Sequence, residues 1–152
     1  MNDLELLIVG ALLAIVGGGV SDELRSWRER SRKRAAMQVS LADELREIEA
    51  TIGKMHEVWN SAQVFPPSYV ADILSGTAAY DNLRPDLYLI KDTDLRKELH
   101  DFYKKLKDAA RNTDGKLGSL SEAEEARTEQ AGFDSTFQTL CAEAKNIRKK
   151  LE

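Results

Sequence analysis

The chain has 152 residues, 42% of them hydrophobic and 32% charged, and its 22 Lys/Arg against 26 Asp/Glu give a formal net charge of −4. That length accommodates one domain of ordinary size with a short appended segment, and three prolines leave no Pro-rich linker to separate a second domain. A single cysteine, Cys141, excludes an intramolecular disulfide framework and is consistent with a reducing compartment.

Residues 4–20 are apolar except for Glu5. As a helix they would extend about 25 Å against a hydrocarbon core of roughly 30 Å, short but sufficient to span it. At their N-terminal end the only charged side chains are Asp3 and Glu5, whereas Arg25, Arg28, Arg30, Arg32, Lys33 and Arg34 follow. Positive charge stays on the cytoplasmic side, so the asymmetry predicts a single-pass anchor in the cell inner membrane, with the N-terminus outside and the C-terminal domain in the cytoplasm. A cleaved signal peptide is the rival expectation, but its leading region should be basic and here it is acidic. Gly10, Ala14 and Gly18 fall four residues apart on one helix face, where missing side-chain bulk would let two backbones pack; self-association follows as an expectation. The anticipated divisions are an anchor over 1–22, a basic juxtamembrane stalk over 23–34 and a cytoplasmic helical bundle over 35–152.

In the first soluble helix, expected over about Ala35 to Asn60, Leu41, Leu45, Ile48, Ile52, Met55 and Trp59 alternate at four and three residues, a sustained apolar seam. Leu24 and Trp27 are positioned to continue that helix back toward the membrane. Asp43, Glu44, Glu47 and Glu49 have the spacing of a solvated helix face. The paired prolines in Val64-Phe65-Pro66-Pro67 then turn the chain. A short helix from Pro67 to Leu74 and another turn or two from Thr77 are predicted, and Pro85 to Ile90 is read as helical rather than extended.

Asp92 or Thr93 caps the next long helix, whose stripe is Leu95, Leu99, Phe102, Leu106 and Ala109 and whose end is expected at Asn112-Thr113-Asp114-Gly115. Ser121 and Glu124 form a capping box for a last helix with Ala126, Gln130, Phe133, Phe137, Leu140, Ala144, Ile147 and Leu151 on one side. The fold class is therefore all-α: an N-terminal transmembrane helix followed by an antiparallel bundle of three to four helices with short connecting helices.

No nucleotide loop, nucleophile elbow or dinucleotide fingerprint occurs, and neither His56 nor His100 follows a glutamate at three residues as a bundle di-iron site requires. Cys141 adjoins the Leu140 stripe without an evident base. A non-enzyme without metal or cofactor is expected. From Ala35 onward the chain keeps 16 Lys/Arg and 21 Asp/Glu, a net of −5, which disfavours nucleic acid as a partner. The expected partners are the lipid bilayer and either further copies of the chain or another membrane protein.

The segment Tyr80-Asp81-Asn82-Leu83-Arg84-Pro85-Asp86-Leu87, followed by Leu95, Leu99 and Phe102-Tyr103, resembles segments of small membrane-anchored bacterial or phage helical proteins of uncharacterised function. The resemblance implies an anchored helical domain and carries over no activity. Read from its residues, this segment either wedges the short helices against the bundle through Tyr80, Leu83 and Tyr88, or forms an aromatic groove. The groove would be made by Trp59, Phe65, Tyr80 and Tyr88 with Arg84 at its rim, and would accept a small ligand or a partner helix. A scaffold or adaptor displaying the bundle for protein interaction is the primary functional expectation, and a membrane-linked sensor using that groove is the alternative.

Overall fold

The computed structural model describes the backbone of residues 3–62, 67–117 and 123–152, and the side chains of 22–62, 68–114 and 128–152. The Ser121–Glu124 capping box, Phe65 and the side chains of residues 4–20 lie outside those sets. The chain is all-helical over the described residues: α1 is Asp3–Ala62, α2 Pro67–Ser75, α3 Ala78–Leu83, a 3₁₀ helix Arg84–Leu89, α4 Thr93–Leu117 and α5 Ala123–Leu151. Among the described residues no helix is long and apolar enough to cross a membrane. By contact density the chain divides into residues 1–36 and 37–152, described separately below.

In the first unit, α1 carries Arg25 beside Glu29 at 3.3 Å, and Arg30 donates to the Ser26 hydroxyl at 2.9 Å. Both are exposed contacts one helical turn apart, which contribute only tenths of a kcal/mol. Arg28, Arg32 and Lys33 are also exposed, and Arg34 is half-buried. Leu24 and Trp27 stand open to solvent, 51% and 62% exposed.

The second unit is organised by its stripes. Leu41, Leu45, Ile48, Ile52, Met55 and Trp59 are all buried, as are Leu95, Leu99, Phe102 and Leu106 of α4 and Phe137, Leu140, Ala144, Ile147 and Leu151 of α5. Strand-like periodicity is absent from these runs, and burying a stripe every three to four residues fits a helix alone. Cross-contacts give the helix directions. Arg46 meets Glu152, Glu49 meets Arg148 and His56 meets Asp134, so numbers rise along α1 as they fall along α5. Lys150 meets Glu98 and Lys105 meets Glu143, so α4 is likewise antiparallel to α5.

Local chemistry ends the shorter elements. α2 begins at Pro67, where a missing amide hydrogen leaves no helical bond unmade. At its end Gly76 N donates to Asp72 O at 2.8 Å, the Ser75 hydroxyl to the same oxygen at 2.9 Å, and the Thr77 hydroxyl to Leu74 O at 3.0 Å. A Cβ on Gly76 would sit 3.1 Å from that Asp72 oxygen, so glycine suits this turn. Asp92 caps α4: its Oδ1 accepts from Asp94 N at 2.9 Å and Leu95 N at 3.0 Å.

The segment after Pro85, expected to be helical rather than extended, is a 3₁₀ helix, closed by Ile90 N donating to Leu87 O at 3.0 Å; the buried pair Leu87 and Ile90 is three apart, matching three residues per turn. One sequence expectation is corrected: α4 runs on to Leu117 through the anticipated stop. Thr113 is buried there, and its hydroxyl donates to Ala109 O at 2.8 Å, so the Asn112–Gly115 run serves as helix interior.

Candidate functional site

Glu44 is the central departure from the surface expected of α1. It is 6% exposed, and its Oε2 accepts from Ala79 N at 2.6 Å and from Tyr80 N at 3.3 Å, while Oε1 accepts from Tyr80 N at 3.1 Å. α3 has no side-chain cap from its own Thr77. A carboxylate thirty-five residues away satisfies its free amides instead, next to the positive end of the peptide dipoles. Burial still pushes the Glu44 carboxyl above its ordinary range, outrunning the hydrogen bonds from Tyr103, Ala79 and Tyr80 that pull it down.

That cap fixes Tyr80. Its ring stacks on Tyr103 with centroids 3.9 Å apart and planes 9° from parallel, and Phe102 meets Tyr103 edge-on at 5.2 Å. The Tyr80 hydroxyl is 3.0 Å from His100 Nδ1, and Lys107 Nζ lies 5.9 Å above the Tyr80 ring centroid. Burial raises the Tyr80 phenol's pKa against the pull of nearby Arg84. The Tyr103 hydroxyl is fully buried with the Glu44 carboxylate as its facing polar group; burial first and that carboxylate second drive its pKa far upward, keeping it protonated.

Tyr80, Tyr103, His100 and Lys107 help to line a cleft of about 170 Å³. Tyr80, Asp81 and Arg84 come from α3 and the 3₁₀ helix, and His100, Tyr103, Lys104, Lys107, Asp108 and Arg111 from α4. Of the residues anticipated for a groove, the cleft brings together Tyr80 and Arg84. Trp59 is buried, Tyr88 is 64% exposed, and neither lines it. The sequence reading missed the basic stripe His100, Lys104, Lys107, Arg111, although its spacing of four, three and four marks one face of α4.

Two further polar clusters lie between α1 and α5. His56 Nδ1 is 2.9 Å from both oxygens of buried Asp134, with Asn60 Nδ2 at 2.9 Å from its Nε2. Arg148 reaches Glu49 through Nε at 2.8 Å and Nη2 at 3.4 Å, and Glu152 through Nη1 at 2.7 Å. Hydrogen bonds to Glu49 and then Glu152 hold the guanidinium firmly charged, and Arg148 in turn holds Glu152 below the usual carboxylate range. Glu44 and Glu49 therefore leave the solvated face to which their spacing assigned them. Cys141 is half-buried with Sγ 4.0 Å from Glu49 O, and burial raises its thiol's pKa, the reverse of nucleophile activation.

Among the described residues, no cluster of three or more His, Cys, Asp or Glu is arranged to hold a metal ion. Gly10, Ala14 and Gly18 fall among the residues whose side chains are outside the described set. No family model, no curated protein and no solved structure matches the chain.

Proposed function

We propose that the chain is a non-enzymatic, single-pass membrane-anchored scaffold or adaptor that presents its helical domain in the cytoplasm to a protein partner and self-associates through its anchor. The observation that carries this reading is Trp27. It is 62% exposed on α1, with Leu24 exposed beside it, immediately after the apolar run 4–20 and among Arg25, Arg28 and Arg30. An indole that leaves water for headgroup level, flanked by cations that meet anionic lipid, gains from both contacts. The buried stripes of residues 37–152 supply a folded domain to present.

Membrane preparations test it directly. The full chain should stay in the pellet after alkaline carbonate washing, and a reporter fused after Glu152 should behave as cytoplasmic. Release by carbonate, or recovery of a form cut near Ser21, removes the anchor from the proposal. Gly10→Leu combined with Gly18→Leu should reduce crosslinked dimer while leaving insertion intact, because it adds bulk without polarity. Unchanged crosslinking rejects the glycine face.

A second reading, a membrane-linked sensor that binds a ligand at Tyr80, is supported by the cleft between Arg84 and the basic stripe of α4. A ligand added to the full chain should raise its melting temperature, with the logarithm of its concentration once that exceeds Kd.

A further inference from the structure

The cleft at Tyr80 gathers more positive charge than its own carboxylates balance. Lys107 is committed to Asp81, with Nζ 2.6 and 2.7 Å from the two oxygens. Arg84, Lys104 and Arg111 are exposed and form no ion pair among the described residues, and only Asp108 remains on the same wall to offset them. With His100 neutral, the lining carries a formal net charge of +2.

Size narrows the occupant. The cleft is open to solvent, and its space of about 170 Å³ suits an ionic head group whose remaining molecule extends outward.

We infer that this cleft binds a phosphate monoester group. Such a group carries a charge of about −1.5 to −2 near neutral pH and three acceptor oxygens. The charge answers the surplus on the wall, and the oxygens answer the three unpaired cations. A carboxylate brings about half that charge and two coplanar oxygens, which leaves one cation unmatched. Arg84 and Arg111 offer planar forks of N–H donors, and Lys104 a point charge from the same helix face as Arg111. The buried Tyr80, stacked on Tyr103 and bonded at its hydroxyl to His100, fixes the floor from which Arg84 and the α4 wall rise. The inference rests on the sensor reading above and supplies its ligand chemistry.

The test uses the full chain in phosphatidylcholine nanodiscs at low salt, titrated calorimetrically with glycerol 3-phosphate and with acetate. Glycerol 3-phosphate should bind at one site, at least about tenfold more tightly than acetate. Lys104→Gln with Arg111→Gln should weaken it about tenfold or more, whereas Lys145→Gln with Lys149→Gln, removing equal charge from exposed positions on α5, should leave it unchanged. Melting curves on the same samples check that each variant is folded, and Arg111→Lys, which keeps the charge, should lose less than Arg111→Gln. Repeating the titration in discs containing phosphatidic acid separates the sources: competition by the lipid identifies a headgroup, and unchanged affinity identifies a soluble ester. Equal binding of acetate overturns the phosphate assignment while leaving an anion cleft, and equal loss in the α5 variant overturns the cleft as the site. Absence of binding by either anion to the folded chain overturns the assignment and the anionic-ligand reading together.

Discussion

Replacing Glu44 separates the worth of its oxygens from the worth of its charge. In Glu44→Ala the amides of Ala79 and Tyr80 lose their acceptor, and a buried unsatisfied donor costs about 1–3 kcal/mol. Tyr80 N is buried, Ala79 N is partly so, and the variant is spared the cost of burying a carboxylate, so a net loss of about 2–3 kcal/mol is expected. For a domain of this size that corresponds to a fall in melting temperature of about 10 °C. Glu44→Gln behaves differently. Oε2 already sits within reach of both amides, so one amide oxygen there can accept from both while the new NH₂ turns toward the Tyr103 hydroxyl. Because burial raises the Glu44 pKa, the folded state prefers a neutral group, and the Gln variant should stay within about 1 kcal/mol of wild type. The pH dependence follows from the same sign. A folded-state pKa above the ordinary 4.5 means that folding takes up a proton. Wild type is therefore most stable relative to Glu44→Gln below that ordinary value, and loses ground as pH rises through the raised one. Thermal melts by far-UV circular dichroism, from acid to neutral pH, read all three proteins. The reasoning fails if Glu44→Ala melts within about 2 °C of wild type, or if the Gln variant falls as far as the Ala variant.

Other expectations are simpler. Ile52 is fully buried, so Ile52→Asp should abolish the cooperative melt; retention of a sharp transition would place that seam outside the core. A Cβ at Gly53 or Gly132 meets nothing within 4 Å, so each Gly→Ala change should stabilise by about 0.5–1 kcal/mol in urea titration, and a loss at either would contradict the open space around it. Asp92→Ala removes both bonds of the α4 cap and should cost about 1 kcal/mol in the same assay, with Asp92→Ser restoring most of it.

Legibility in the sequence followed the physics of each signal. The seam from Leu41 to Trp59 was readable because burial recurs at helical spacing, and the α4 cap because Asp92 acts on its own neighbours. Glu44 was misread although it lies three residues after Leu41 and four before Ile48, on the buried side; periodicity marks that side, but a carboxylate there looks like a boundary residue until the remote amides it caps are known. The stop expected at Asn112–Gly115 failed for a related reason. Turn-forming residues end a helix only where the packing allows, and Thr113 is packed. The cleft was half legible: Tyr80 and Arg84 announced themselves as an aromatic and a cation in one segment, while its other wall is a stripe of charges that from sequence alone resembles any solvated face.

The position of α5 in the chain governs how the domain assembles. Arg46 and Glu152 are 106 residues apart, and Glu49 and Arg148 are 99 apart, so the sides of α1 and α4 that pack on α5 have no partner until α5 has been synthesised. Closing such long loops is slow relative to helix formation. During synthesis α1 and α4 exist as helices with an uncovered apolar flank, which other chains or a chaperone can engage. The domain is therefore completed by one late docking event, and substitutions on the inner face of α5, such as Phe137→Ala, should depress the yield of folded protein in cells more than the same loss of stability placed in α2.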